Sequence, residues 1–167
     1  MTTAFRPQPS DMVTALALLT RIPVRATFSR SAESAWAFPL AGLAVGVIAG
    51  AVATIAGWFT LGAGLTAGFT LAALVIATGA MHEDGLADCA DGFWGGFERT
   101  RRLEIMRDSR IGAYGVLALI LGLLLRFTAL STLAHEDVIV TTVIAAALLI
   151  KVECLTFQLY SFVLHVC

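Results

Sequence analysis

The chain has 167 residues, of which 58% are hydrophobic and only 14% charged, with a formal net charge of -1 at pH 7 and a mean hydropathy of +0.85. An ordinary soluble domain is roughly half apolar and a quarter charged, so this composition excludes a water-soluble globular domain and points to a surface that faces lipid. The near-zero net charge hides an uneven distribution, with long charge-free runs on either side of one densely charged stretch, residues 82 to 110.

The N-terminal segment, residues 1 to 34, carries Arg6, Arg21, Arg25 and Arg30. Its apolar run from Met12 to Leu19 is short and is followed by arginines rather than a small-residue cleavage site, so no signal peptide is expected and nothing indicates export. A transmembrane helix needs about 20 mostly apolar residues, and the uncharged run from Ala35 to Leu61 supplies them. Gly42, Gly46 and Gly50 recur every four residues and line one face of that span, where missing side chains let another helix come close. A turn around Gly62 and Gly64 leads into a second span at residues 65 to 81, so the two form an antiparallel hairpin. A third span is predicted at residues 111 to 134 and a fourth at 138 to 150, the last continuing past Lys151 if it is full length. Arg126 lies inside the third span. An intramembrane charge is costly enough to suggest function, against the plainer reading that it snorkels or pairs with a neighbouring helix.

The expected fold is therefore all-α, a polytopic integral membrane helical bundle of about four transmembrane helices in a single domain over residues 1–167. Positively charged segments stay on the cytoplasmic side. That places the N-terminal segment and residues 82–110, with Arg99, Arg101, Arg102, Arg107 and Arg110, in the cytoplasm, while the acidic connection His135-Glu136-Asp137 faces outward. The tail, residues 151–167, has no Gly or Ala and differs in texture from the chain before it; it reads either as a last helix or as an altered end. Cys89, Cys154 and Cys167 are odd in number and form no CxxC pair, so neither a disulfide framework nor a zinc site is suggested, and they read as buried thiols.

Chemistry concentrates in HEDGLADCADG, residues 82 to 92. Asp84, Asp88 and Asp91 stand at i, i+4 and i+7, which at 3.6 residues per turn puts all three carboxylates on one helix face. Like charges four residues apart destabilise a helix by roughly 0.2–0.5 kcal/mol per pair in water, so such a stripe calls for a cation. Hard oxygen ligands without thiolate or multiple histidines suit Mg²⁺ or Mn²⁺, and Mg²⁺ usually takes one or two protein carboxylates while phosphate oxygens complete its shell. The competing reading is an ordinary solvated face neutralised by the later arginines, which does not explain why the acids come first and in register. Gly85 and Gly92 weaken helix propensity, so a bend or an end near Asp91-Gly92 is expected, followed by a turn, GFWGG, at residues 92 to 96. They also leave room for a substrate backbone or phosphate.

Five arginines and three acids then follow in ERTRRLEIMRDSRIGAYG. Guanidinium forks match phosphate oxygens, although the positive-inside rule alone also predicts basic residues here. Glu104 and Asp108 stand at i, i+4 and offer a further ligand, with pairing to Arg101 or Arg107 as the plainer role. His82, Glu83 and Asp91 are candidate general bases, which the sequence does not rank.

With these residues in view, FPLAG at 38 to 42, TGAMHEDGLADCADG at 78 to 92 and RRLEIMRDSRIGAYG at 101 to 115 resemble the cobalamin synthase family, adenosylcobinamide-GDP ribazoletransferase. The resemblance covers roughly residues 12 to 150. It implies a Mg²⁺-dependent enzyme of the bacterial inner membrane, acting on corrinoid and nucleoside substrates with no nucleic-acid partner. In that reaction α-ribazole or its 5′-phosphate attacks the cobinamide-linked phosphate of adenosylcobinamide-GDP and GMP leaves, the final step of cobalamin biosynthesis. Carried over by motif, Asp84, Asp88, Asp91 and Asp108 take the metal-ligand role, Asp91, His82 and Glu83 the catalytic one, and Arg101, Arg102, Arg107, Ser109 and Arg110 bind substrate phosphates. The spaced aspartates are also similar to those of CDP-alcohol phosphotransferases, but Asp88 stands where that family's DGxxAR order needs Arg. The family pattern continues with further helices and a later Gly- and acid-containing motif that this sequence lacks, so these 167 residues alone are expected to be inactive or poorly stable. Two other readings are another membrane alcohol phosphotransferase with a nucleotide-diphospho donor, and a divalent-cation transporter. The transporter would need acids in mid-span rather than after the second span.

Overall fold

The computed structural model describes residues 7–26, 28 and 33–150. Arg6, Arg30, the continuation past Lys151 and the tail with Cys154 and Cys167 lie outside the described residues. Among the described residues every regular element is helical. The helices are α1 (Pro9–Leu19), α2 (Phe38–Trp58, preceded by the 3₁₀ turn Glu33–Ala37), α3 (Ala63–Thr78), α4 (Met81–Gly95), α5 (Arg99–Arg107) and α6 (Ala113–His135), then α7 (Ile139–Ile150).

Helix α1 starts as its sequence dictates, with Pro9 in the first turn and the Gln8 N–H donating to Asp11 Oδ2 at 2.9 Å. The same carboxylate accepts from the Trp36 indole at 3.1 Å. This bond ties α1 to the 3₁₀ turn ahead of α2, over a small core of Ala15, Ala35, Ala37, Phe38 and Ala41. A second core, around Ala49, Ala53, Ala67, Leu130, Ile139 and Val143, joins α2, α3, α6 and α7. As the four-residue spacing predicts, Gly46 and Gly50 are sites of close approach: a Cβ on Gly46 would lie 2.9 Å from Ile144 Cα, and one on Gly50 would lie 3.3 Å from Val140 Cγ1.

Glu33–Trp58 and Ala113–His135 are long and apolar enough to cross a membrane, and α3 with α4 makes a third span if the bent pair is counted as one. The exposed Leu117, Ile120, Leu121, Leu124 and Leu125 of α6 form a contiguous apolar surface of the kind that lipid, not water, covers. The second span differs from expectation. Instead of running through Met81, α3 stops at Thr78, and α4 leaves at an angle of 84°. The cause is local, since Gly79 (φ 65) and Ala80 (φ 59) are both left-handed, and the Gly79 and Ala80 N–H groups close onto the Ile76 and Val75 carbonyls at 3.1 and 2.9 Å. Glycine ends helices this way without steric penalty. The described part of the fourth expected span is the 12-residue α7 alone.

Gly79 also lies under the Arg21 side chain, against which a Cβ would collide. Gly79→Ala is therefore expected to lower thermal stability in detergent by roughly 1–2 kcal/mol, the penalty for a left-handed non-glycine residue. Gly57→Ala, in open space within α2, should be neutral or stabilising by up to about 1 kcal/mol. Equal effects from the two would remove the strained bend from the account.

Candidate active site

Helix α4 carries the carboxylates. Glu83 and Asp84 fall in its first turn, where negative charge is favoured by the helix dipole. The helix does not end near Asp91-Gly92, as the two glycines suggested, but runs on to Gly95, so most of the GFWGG stretch is helical rather than a turn. Gly92 serves packing: a Cβ there would stand 2.7 Å from Met106 Cγ and 3.4 Å from the Arg102 carbonyl oxygen, so α5 can fold back onto α4. Gly85 opens onto free space, with nothing within 4 Å of a Cβ.

The three aspartates lie on one helix, as the spacing predicts, but not in one environment. Asp84 is exposed, Asp88 is half-buried and Asp91 is buried. Asp91 Oδ2 accepts from the Gly112 N–H at 2.7 Å and Oδ1 from the Gly115 N–H at 2.9 Å. Gly112 is the residue that precedes the first turn of α6, and the opening N–H groups of a helix have no partner within it. The carboxylate thus caps α6 from another helix. Cβ atoms on Gly112 or Gly115 would run into this carboxylate, and one on Gly115 would also lie 3.1 Å from the Ala87 carbonyl oxygen. The glycines of IGAYG are there for that approach.

A second contact joins the same helices. Arg126 forms an ion pair with Glu83, which resolves the intramembrane arginine as a partner of the carboxylate helix. Between the two contacts a Cβ on Gly122 would stand 3.3 Å from Leu86 Cδ2. The pairings 83 with 126, 86 with 122 and 91 with 115 run in opposite directions along the two chains, so α4 and α6 are antiparallel and fastened at both ends.

The basic segment divides by role. Arg102 donates Nε–H to the Gly96 carbonyl at 2.8 Å, and its guanidinium lies 5.3 Å from the centre of the Phe93 ring. It holds the α4–α5 turn, contrary to the expectation that it faces phosphate. Arg101 pairs with Glu104 at 3.0 Å. Asp108, expected as a metal ligand, lies just past the end of α5 in extended conformation, so it is not in helical register with Glu104. It instead grips Arg110, whose NH2 group donates to Oδ2 at 2.7 Å. These hydrogen bonds hold the Asp108 carboxyl below its ordinary range, so the pair persists through neutral pH and is lost only as acid protonates Asp108. Arg107, Ser109 and Arg110 are exposed. Because Gly112 is bound to Asp91, Arg110 lies within about 7 Å of chain from that anchor.

Among the described residues no three His, Cys, Asp or Glu side chains gather around one ion position. An all-protein cage therefore does not fit. Asp84 and Asp88, one helical turn apart and at least partly exposed, are the residues that would hold a hard cation whose remaining ligands are phosphate oxygens. Asp84 also faces a cleft of about 540 Å³ shared with Thr20, Arg21 and Ala80. Cys89, read as a buried thiol, is exposed.

Two features lay beyond sequence reasoning: the Asp11–Trp36 tie, whose only trace is the Pro-Ser-Asp helix start, and a cavity of about 450 Å³ beside Glu83, Arg126 and His82, which no local pattern announces.

The model of the cobalamin-5-phosphate synthase family matches residues 11–162. Proteins named adenosylcobinamide-GDP ribazoletransferase are similar to this chain in Mesorhizobium japonicum, 48% identical over 81% of this chain and 54% of that protein, and in Bradyrhizobium diazoefficiens, 44% identical over 82% and 54%. One from Shewanella amazonensis is 48% identical over 74% and 49%. The chain spans about half the length of the curated relatives it matches. No solved structure matches it.

Asp91→Ala should strand the half-buried Gly112 N–H and the buried Gly115 N–H and lower stability by roughly 1–3 kcal/mol for the buried one, seen as a lower melting temperature irrespective of Mg²⁺; an unchanged melting temperature would dismiss the capping role. In a thermal double-mutant cycle, Arg126→Met alone should cost more than Glu83→Gln with Arg126→Met, since removing one partner leaves a buried charge uncompensated, an effect of about 3–5 kcal/mol. Additive losses would show that the pair is not coupled.

Proposed function

This chain belongs to the cobalamin-5-phosphate synthase family, and on that premise we propose that it contributes the carboxylate half of an adenosylcobinamide-GDP ribazoletransferase site in the bacterial inner membrane, within a multi-pass bundle of about four spans. The N-terminal segment and the α4–α5 region face the cytoplasm in this reading, supported by their arginines. The observation that carries it is the division of labour along α4: Asp91 is spent on anchoring α6, while Asp84 and Asp88 remain on the accessible side, beside an exposed basic segment.

In the reaction a hydroxyl oxygen of α-ribazole, or of its 5′-phosphate, forms a bond to the cobinamide-linked phosphorus of adenosylcobinamide-GDP. The bond from that phosphorus to the bridging oxygen breaks and GMP leaves with the electron pair. The hydroxyl proton passes to the His82–Glu83 pair. Asp91 is not the base here, because both its oxygens already accept backbone N–H groups. Mg²⁺ held by Asp84 and Asp88 would offset charge on the phosphate oxygens, which is where most catalysis of phosphoryl transfer arises. Arg107, Ser109 and Arg110 meet the phosphates, joined by the exposed Arg101, while Arg102 fixes the start of α5 against Gly96. Asp108 orients Arg110 rather than binding metal.

In a chain that spans the full length of the curated relatives, in liposomes with both substrates, Asp84→Asn and Asp88→Asn should each lower Mg²⁺-dependent formation of the cobalamin product and GMP by about 10²-fold or more without lowering the melting temperature. Near-normal turnover in both would sink the metal assignment.

A further inference from the structure

Arg21 follows the C-terminal end of α1 and is fixed where α3 turns into α4. Its N–H donates to the Ala77 carbonyl at 2.8 Å, and its side chain lies against Gly79, where a Cβ would stand 2.9 Å from Arg21 Cδ. The stem thus rests on bare backbone at the bend. The residue is exposed and lines a cleft of about 540 Å³, with Ala17 and Thr20 beside it and Thr78, Met81 and Asp84 across from it. A cleft of that volume is within the range of small-molecule sites, about 300–1,000 Å³. Its two threonine hydroxyls are already spent, since Thr20 donates to the Leu16 carbonyl at 2.6 Å and Thr78 to the Leu74 carbonyl at 3.0 Å. The charged groups left to meet a ligand there are Arg21 and Asp84.

These opposite charges share the cleft without closing on each other. Arg101, Arg110 and Arg126 are each paired with an acid, and Arg102 is held by Gly96 and Phe93, whereas Arg21 forms no ion pair among the described residues. The Asp84 N–H donates to the Ala80 carbonyl at 2.8 Å, which puts Asp84 one helical turn past the residue next to Gly79, and Asp88 follows one turn later. A cation held by these two aspartates therefore borders the cleft that Arg21 enters. A guanidinium and a carboxylate that face one space without meeting are matched by a ligand that is an anion to the first and reaches the second through a divalent cation. Phosphate is such a group, because its oxygens can take a guanidinium fork and a hard cation together. The positive-inside rule accounts for an arginine near this boundary, but not for a stem seated on a glycine beside a candidate metal ligand. We propose that Arg21 and Asp84 form a phosphate subsite, in which Arg21 holds one phosphate of the donor's diphosphate directly and Asp84 holds it through Mg²⁺. The other phosphate is left to the exposed Arg107 and Arg110. The inference rests on the ribazoletransferase reading and brings the N-terminal segment into a site otherwise built from α4 and the segment after it.

The test is equilibrium binding of radiolabelled GDP, with Mg²⁺, to a chain that spans the full length of the curated relatives, held in phosphatidylcholine nanodiscs. Arg21→Met keeps a stem over Gly79 and removes the fork. It is expected to weaken GDP by about tenfold or more at an unchanged melting temperature, and competition by inorganic pyrophosphate should weaken in parallel. Arg21→Lys, which keeps the charge as a point donor, should recover part of the loss. Ala17→Asp leaves Arg21 in place but sets an acid in the same cleft, and it too should weaken both probes. Unchanged GDP and pyrophosphate affinities in a folded Arg21→Met overturn the inference; should that variant not fold, unchanged affinities in Ala17→Asp overturn it. A different loss also overturns it: if phosphatidylglycerol in the nanodisc raises the melting temperature of the wild type but not of Arg21→Met, and GDP binding is equal in the two, the arginine belongs to a lipid headgroup. If the wild type forms the cobalamin product and Arg21→Met keeps both kcat and the KM for adenosylcobinamide-GDP, the inference falls while the function stands. If pyrophosphate binding depends on Arg21 but no product forms from adenosylcobinamide-GDP and α-ribazole, the function falls and the phosphate subsite stands.

Discussion

The arrangement depends on one carboxylate. Asp91 stands in the C-terminal half of a helix rich in acids and spends both its oxygens on the start of another helix. This supplies α6, a 23-residue span, with the partners its first N–H groups lack, and it fixes where the Arg107–Arg110 connection must lie. The bond is possible only because Gly112 and Gly115 present bare backbone, since a Cβ at either would occupy the carboxylate's place. With the Glu83–Arg126 pair at the other end, α4 is held along its length while its outer face stays open. The arginine inside the span and the acid beyond it stabilise each other, where either alone would be a poor tenant of an apolar environment.

The left-handed pair Gly79-Ala80 determines what that fixed helix presents. Had α3 continued straight, the aspartates would have projected along its axis, away from the other helices. The 84° turn carries them across the end of α3 instead, and Arg21 lies over the bend, its N–H donating to the Ala77 carbonyl at 2.8 Å. Ala80 tolerates a left-handed conformation that glycine would adopt freely, which is backbone strain of the kind that collects at functional sites.

What the sequence made legible follows from the range of each interaction. The helix bearing Asp84, Asp88 and Asp91, the close-packing glycines of α2 and the pairing of Arg101 with Glu104 are all set within about two helical turns, and each appears where periodicity places it. The cap on α6 joins residues 21 and 24 apart and the Glu83–Arg126 pair residues 43 apart, so no local pattern could distinguish a metal-binding Asp91 from a capping one. Gly92 misled for a related reason. Its low helix propensity is real, but the approach of Met106 needs a residue without a Cβ, and tertiary packing outweighs a propensity of about 1 kcal/mol. Arg102 was read for its charge, whereas its contacts with Gly96 and Phe93 use its length and planarity.

These contacts make α4 a partition. Successive residues on a helix are turned by about 100°, so the neighbours Glu83 and Asp84 look to different sides: Glu83 toward the apolar cavity and Arg126, Asp84 toward the open cleft with Arg21. Gly85 comes next, turned about 200° from Glu83, and with no neighbour within 4 Å of where its Cβ would be it leaves the face of α4 farthest from the cavity without a side chain.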